Sequence, residues 1–250
     1  MNWIPFVVLA AALALLLLIE QWIHRHLQGT MLLLTGDADI AVILYALPLL
    51  PGIIIHELSH ALTALLLNVR VGDISIRPQQ VDGRIQLGFV PVEKTDVVRA
   101  SLIGLAPLLV GSAITLLIGY AVFDIGDVGQ AFVAGEWPDV LERVWALRQT
   151  NDFFLWAYLL FAITNTMLPS RADRQAWTPV IVFLVSIALL IWLTGLGPAV
   201  VEGLSRVINT ALQWLAVMCA VTVTVDLPFI LVIFGTEKVL ERVKGVRVDY

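Results

Sequence analysis

Two histidines four residues apart are the part of the sequence best suited to bind a metal ion. Residues 56–60 read His-Glu-Leu-Ser-His, so His56 and His60 would lie on one face of a helix, one turn apart. Neutral imidazoles in this arrangement bind zinc, and a carboxylate beside the first histidine can act as a general base. The pattern therefore predicts a zinc hydrolase site with His56 and His60 as ligands and Glu57 as the base.

The segment around this motif is apolar. The motif lies within residues 40–67, a stretch composed mainly of aliphatic side chains. Charged side chains at the centre of a membrane helix cost roughly 2.5–3.5 kcal/mol each on insertion scales. A chain that keeps ionisable groups there is expected to use them. An intramembrane zinc site is therefore favoured over a polar cluster that only packs helices together.

The composition is that of a membrane protein. Of 250 residues, 59% are hydrophobic and 14% are charged, and the mean hydropathy is +0.90. The net charge of -5 and the absence of a basic run argue against a nucleic-acid partner. The single cysteine, Cys219, permits neither an intrachain disulfide nor a cysteine-based zinc site.

Several apolar stretches approach the length of about 20 residues that a membrane span requires. Pro48, Pro51 and Gly52 should loosen the second stretch just before the zinc motif, and Asp226 and Pro228 should interrupt the last. We expect an α-helical polytopic membrane protein, one membrane domain over residues 1–250, with about six transmembrane helices. The predicted spans are residues 3–23, 40–67, 97–123, 153–168, 179–196 and 207–234.

Two of the segments that connect the predicted spans differ from the spans in their pattern of polar and apolar residues. Residues 69–92 alternate apolar and polar side chains on either side of Asp82 and Gly83, which predicts a small β-hairpin directly after the zinc helix. Residues 124–152 are acidic and carry apolar residues at helical spacing between Trp137 and Trp145. This pattern is typical of a helix lying in the membrane interface.

The basic residues predict how the chain is oriented. If the N-terminus is cytoplasmic, only four of the 15 Lys and Arg residues fall in the outer loops, namely Arg25, Arg143, Arg148 and Arg206. An excess of basic residues marks the cytoplasmic side. We therefore expect both termini to be cytoplasmic, with the zinc motif nearer that side.

A catalytic zinc site uses three protein ligands and leaves one position open, so a third ligand is needed. The remaining histidines, His24 and His26, follow the first predicted span and would lie across the membrane from His60. A carboxylate is therefore expected. Asp173 follows the fourth span at the depth of the motif, Asp226 lies within the last span, and Glu20 lies near the outer end of the first.

A second motif resembles a known family. Residues 165–173 read Asn-Thr-Met-Leu-Pro-Ser-Arg-Ala-Asp, similar to the second signature of the site-2 protease family of intramembrane zinc metalloproteases. The order of elements is also similar, with the zinc motif in the second span, a hairpin after it and Gly104 and Pro107 in the third. The resemblance covers residues 40–177 and leaves residues 178–250 as C-terminal helices, a minimal form without PDZ or CBS domains.

The resemblance implies a site and an activity. Asp173 would be the third Zn²⁺ ligand, and Asn165 would bind the substrate backbone. The chain would be an endopeptidase that cleaves in or near a transmembrane segment of a membrane-protein substrate, from the cytoplasmic side, as in regulated intramembrane proteolysis. We expect it in the lipid bilayer of a prokaryotic plasma membrane, where further membrane proteins could join it in a complex.

The sequence leaves alternatives open. The family usually has Gly after this Asp, whereas Arg174 follows Asp173 here, so a catalytically silent relative acting as a binding or assembly subunit is the main alternative. Asp173 could instead be a solvated loop acid, and Asn165 an interhelical hydrogen-bonding group. Asp226 is best explained as a buried acid paired with Thr or Asn.

Two further functional classes are less well supported. A different class of membrane metalloprotease would take its third ligand from a glutamate, and the acids available before the fourth span are Glu93, Glu136 and Glu142. None of them follows the motif on a second helix at membrane depth. A transporter would fit Asp226 and the broken helices, but the sequence shows no internal repeat.

Overall fold

The fold is mostly helical. The computed structural model describes residues 4–76, 78–81, 84–134, 136–170 and 172–248. The elements in chain order are α1 (Ile4–Thr35), α2 (Ala38–Ala46), α3 (Leu50–Leu66), β1 (Gln79–Val81), β2 (Arg84–Gln86), α4 (Val97–Ala121), α5 (Ile125–Ala134), α6 (Trp137–Ala146), α7 (Phe153–Thr164), α8 (Trp177–Leu193) and α9 (Gly197–Lys244).

Three helices among the described residues are long and apolar enough to cross a membrane: the α2–α3 pair (Ala38–Leu66), α4 and α9. α7 and α8 are apolar but shorter. α8 has no buried residue, so its aliphatic side chains face outward, as lipid-facing side chains would. The structure thus has the apolar helices of a membrane protein, and the count of six spans stays a prediction.

The break before the zinc motif is confirmed. Leu47–Leu49 form a 3₁₀ turn between α2 and α3, and Pro48 lies within it. Pro51 occupies the first turn of α3, where the missing N–H of proline leaves no helical hydrogen bond unmade. A new helix, α3, therefore begins at Leu50, and His56 and His60 lie within its regular part.

Two helices are longer than the sequence predicted. α1 continues beyond Ile23 to Thr35, so the predicted outer loop with Arg25 is wrong over residues 24–35. α9 runs through Asp226 and Pro228 without a break. Asp226 is buried and bonds to Asn165 instead of ending the helix. A helix among apolar surroundings keeps its regular path because each freed backbone group would otherwise lack a partner.

α1 and α9 run in the same direction. The His26 Nδ1–H donates to the buried Glu237 carboxylate at 2.5 Å, and Lys244 Nζ donates to the Leu34 carbonyl at 3.1 Å, so both helices advance together. If both cross a membrane, parallel first and last spans leave the two termini on opposite sides. Two cytoplasmic termini would then require that one of these two helices does not cross. Of the two, only α9 is among the described helices that are long and apolar enough to span, so the six spans and the positions of the termini stay predictions.

Between α3 and α4 the chain is extended. Val71 bridges to Val92, Ser75 exchanges two backbone hydrogen bonds with Phe89, and β1 pairs antiparallel with β2. These pairings join the two arms of residues 69–92. The predicted turn at residues 82 and 83 lies outside the described residues, so the hairpin as a whole stays a prediction.

α3 is held closely between α7 and α4. A Cβ on Gly52 of α3 would lie 2.0 Å from the Ala162 carbonyl oxygen of α7. A Cβ on Gly104 of α4 would lie 2.2 Å from the carbonyl oxygen of Asp173, after the end of α7. These two glycines set the distances between the helices that carry the candidate site.

We expect Gly52→Ala to lower the free energy of unfolding by at least about 1–3 kcal/mol, because the added methyl overlaps a backbone atom that cannot rotate away. Denaturant unfolding in detergent micelles would measure this. Gly203→Ala is the matched control, since no atom lies within 4 Å of a Cβ at that position of α9. Equal stability of the two variants would contradict the close approach of α3 and α7.

Candidate metal centre

His56, His60 and Asp173 meet at one point. Their ligand atoms lie within 4.8 Å of one another. The two Nε2 atoms are 3.1 Å apart, His60 Nε2 is 3.2 Å from Asp173 Oδ1, and His56 Nε2 is 3.8 Å from Asp173 Oδ2. The structure thus brings together the three residues that the sequence predicted as ligands. They line a cavity of about 1100 Å³.

Backbone carbonyls fix the orientation of both imidazole rings. The Nδ1–H of His56 donates to the Thr166 carbonyl at 2.6 Å, and that of His60 donates to the Ile103 carbonyl at 2.9 Å. A carbonyl oxygen only accepts, so the proton of each ring is on Nδ1. Both Nε2 atoms therefore present a lone pair to the common point.

Both carbonyl oxygens are free to accept from the histidines because no backbone N–H of a helix donates to them. In a helix the Ile103 carbonyl would accept from residue 107, which is Pro107 and has no N–H. Thr166 lies beyond the end of α7 at Thr164. The proline inside α4 and the end of α7 thus supply the two acceptors that orient the histidines.

A tight turn brings Asp173 to the histidines. The Ser170 N–H donates to Asp173 Oδ2 at 2.7 Å, and the Asp173 N–H donates to Ser170 Oγ at 3.3 Å. The Asp173 side chain is only 14% exposed, so it is not a solvated loop acid. The Ser170 N–H stabilises the charged form of the Asp173 carboxylate. Oδ1 remains directed at the histidines.

The residues fit a zinc ion. Two imidazole lone pairs and a carboxylate oxygen would repel one another at these distances unless a metal ion or a proton lay between them. Ligands about 2.0–2.1 Å from a tetrahedral zinc are separated from one another by about 3.3–3.4 Å. The three observed separations, 3.1, 3.2 and 3.8 Å, lie around that value. The donor set of two nitrogens and one oxygen is common for catalytic zinc.

Glu57 lies in the same cavity without belonging to the ligand group. It is 6% exposed, and the extended segment before α4 packs on it. A Cβ on Gly88 would lie 2.4 Å from Glu57 Oε1, so only glycine leaves room for the carboxylate there. Glu57 is thus a cavity-lining acid beside the candidate metal centre.

Asn165 and Asp226 form a buried pair. The Asn165 Nδ2 donates to Asp226 Oδ1 at 2.8 Å and to the Phe161 carbonyl at 3.0 Å. The prediction that Asp226 is a buried acid paired with Thr or Asn is confirmed, and neither Asp226 nor Glu20 joins the ligand group. Asn165 lines the cavity, and its role in substrate binding stays a prediction.

Sequence reasoning missed a second set of cavity residues on α1. His24 was expected across the membrane from His60, but it lines the same cavity, because α1 continues unbroken through this position. Its Nδ1 lies 2.5 Å from the Tyr45 hydroxyl, and its Nε2–H donates to the Asn165 carbonyl at 3.0 Å. The spacing of Glu20, His24 and Gln28, one helical turn apart, was the available signal.

Comparisons of the chain with protein-family profiles, with curated proteins and with solved structures find no match.

We expect about one zinc per chain after purification, with the affinity reduced by more than about 100-fold in His56→Ala and Asp173→Ala, since each removes a direct ligand. Elemental analysis after dialysis against a weak chelator would measure it. Asp226→Asn is the control and should keep the metal. Zinc retained by Asp173→Ala would remove Asp173 from the ligand set.

Gly104→Ala should weaken zinc binding without altering any ligand. The methyl would displace the Asp173 backbone, and such changes around the ligands typically cost about 10–100-fold in affinity. Competition with a chromophoric chelator would give the dissociation constant. Gly235→Ala on α9, where a Cβ meets no atom within 4 Å, should leave it unchanged. An unaltered affinity in Gly104→Ala would show that the approach of α4 does not position Asp173.

Proposed function

We propose that the chain is an intramembrane zinc endopeptidase of the site-2 protease type, which cleaves a peptide bond in or near a transmembrane segment of a membrane-protein substrate. One observation carries the proposal: His56, His60 and Asp173 converge beside Glu57 in a cavity lined by the apolar helices α3 and α4, by α1 and by the segments 87–95 and 165–176. Two imidazoles, a carboxylate ligand and a neighbouring acid are the groups that zinc-dependent peptide hydrolysis requires.

The residues have distinct roles in this mechanism. His56, His60 and Asp173 would hold the ion. A bound zinc ion supplies an activated water nucleophile near neutral pH and polarises the carbonyl under attack. Glu57 accepts the proton of the nucleophile and delivers it to the leaving nitrogen. Its burial against Gly88 keeps the carboxylate inside the cavity, where bulk water does not compete for the proton.

The extended segment before α4 is suited to hold the substrate backbone. Residues 87–95 line the cavity, and Phe89 bonds back to Ser75 through both of its backbone groups. In an antiparallel pair, the residues on either side of such a bonded residue direct their N–H and C=O groups to the opposite edge of the strand, away from the partner strand. An unwound transmembrane segment needs such partners, because its freed N–H and C=O groups find little water. Pairing with this edge would present the peptide to the metal centre.

The proposal extends to the setting of the protein. We infer a multi-pass protein in a prokaryotic plasma membrane, acting in regulated intramembrane proteolysis on a transmembrane substrate. The outward aliphatic side chains of α8 and α9 support contact with lipid. The competing function, a silent binding subunit, would keep the fold but would not need a complete ligand set with an adjacent acid.

The decisive comparison is between wild type and Glu57→Gln. We expect cleavage to fall by about 10²–10⁴-fold in the variant, because the amide cannot accept the proton, while zinc content stays the same. Zinc-loaded protein in lipid nanodiscs would be incubated with a set of leucine-rich transmembrane peptides, and new termini identified by mass spectrometry. Equal cleavage by both proteins would exclude Glu57 as the base. A zinc-loaded wild type that cleaves no peptide would favour the silent subunit.

A further inference from the structure

The cavity extends beyond the metal centre to a polar stripe on α1. Glu20, His24 and Gln28 lie one turn apart along this helix and line the same cavity as His56 and Asp173. None of the three belongs to the metal group. Ionisable side chains on a helix otherwise rich in leucine and alanine are expected to serve a purpose.

This end of the cavity contains acceptors that lack donors. Asn165 lines the cavity, and its Oδ1 is a buried oxygen without a hydrogen-bond partner among the described residues. Asp226, which accepts from Asn165 Nδ2, does not line the cavity, and its Oδ2 is also buried and unpartnered. The Glu20 carboxylate is 3.7 Å from His24 Nε2, beyond hydrogen-bonding distance. Both nitrogens of His24 are already engaged, with Tyr45 and with the Asn165 carbonyl. Two side chains of the cavity lining, Asn165 and Glu20, thus have an oxygen without a donor at hydrogen-bonding distance.

The charges of the cavity point to the kind of donor. Bound zinc would be balanced by Asp173 and Glu57, and Lys94 by Glu93, which leaves Glu20 as the uncompensated acid among the described lining residues. Among the described lining residues the single Lys or Arg is Lys94, on the segment that leads into α4. A basic group on the ligand would balance this acidity. An ammonium carries three N–H donors and a guanidinium five, enough for several oxygens at once.

We propose that the α1 end of the cavity is a subsite for a lysine or arginine side chain of the substrate, with Glu20 as the residue that selects it. The proposal rests on the function proposed above. A basic residue within a transmembrane segment is poorly tolerated by lipid, and such a segment would gain by entering a site that supplies acceptors. Glu20 is then a specificity-determining residue, and Asn165, which is held by the buried Asp226, lines the same subsite.

The test uses transmembrane peptides that differ by one charge. A set of leucine-rich fluorescent peptides carries one lysine each, at successive positions. Each has a matched control peptide, its twin, with norleucine at the same position, which lacks the ammonium group. Binding is measured by fluorescence anisotropy on zinc-loaded Glu57→Gln protein in phosphatidylcholine nanodiscs, so that it does not depend on turnover. Cleavage of the same peptides is measured with wild type.

We expect at least one position at which the lysine peptide binds about tenfold more tightly than its twin, as one strong charged hydrogen bond would give. Adding Glu20→Gln should remove this preference while affinity for the norleucine peptide and zinc content stay the same. Glu202→Gln, an exposed acid of α9, is the control and should keep the preference.

The outcomes separate this proposal from the function on which it rests. No lysine preference at any position, or a preference that survives Glu20→Gln, overturns the subsite even if wild type cleaves the peptides. A preference that depends on Glu20 in binding, without cleavage by wild type, upholds the subsite and rejects the peptidase.

Discussion

The structure of the candidate site depends on two backbone carbonyls, one inside α4 and one just after α7, that accept no helical hydrogen bond. The Thr166 and Ile103 carbonyls accept the Nδ1 protons of His56 and His60, so both Nε2 lone pairs face Asp173. Without these acceptors the rings could rotate or carry the proton on the other nitrogen. The arrangement needs a proline inside α4 and a helix end after Thr164, two features that would weaken a purely structural helix bundle.

The close approach of the helices follows from the same requirement. A carbonyl on a neighbouring helix reaches an imidazole on α3 only if the helix axes lie near one another. Gly52 permits this between α3 and α7, and Gly104 permits it between α4 and the turn that carries Asp173. Small residues at helix interfaces are the usual means of close packing in membranes, where the hydrophobic effect does not drive helices together. Here they also set the positions of the ligands.

The sequence predicted the parts of the site that are local or carried by a motif. Spacing within one helix placed His56, Glu57 and His60, and the family signature pointed to Asp173. The sequence could not predict that α1 continues past residue 23, because the polar residues there resemble the end of a membrane span. Only tertiary packing shows that they face a cavity. The direction of α9 relative to α1 depends on contacts such as His26 with Glu237, which are 211 positions apart in the chain.

The turn before Asp173 reaches the histidines by a different local sequence from the one that the family resemblance led us to expect. In the sequence, Arg174 in place of glycine suggested a backbone that bends differently and an inactive relative. In the structure the bend is set earlier, by the two hydrogen bonds between Ser170 and Asp173. Arg174 is exposed and its Nε donates to the Ser170 carbonyl at 3.2 Å, so it adds to the turn without entering the site. The conformational freedom of glycine is unnecessary for this turn, because Ser170 supplies the hydrogen bonds that hold Asp173 in place.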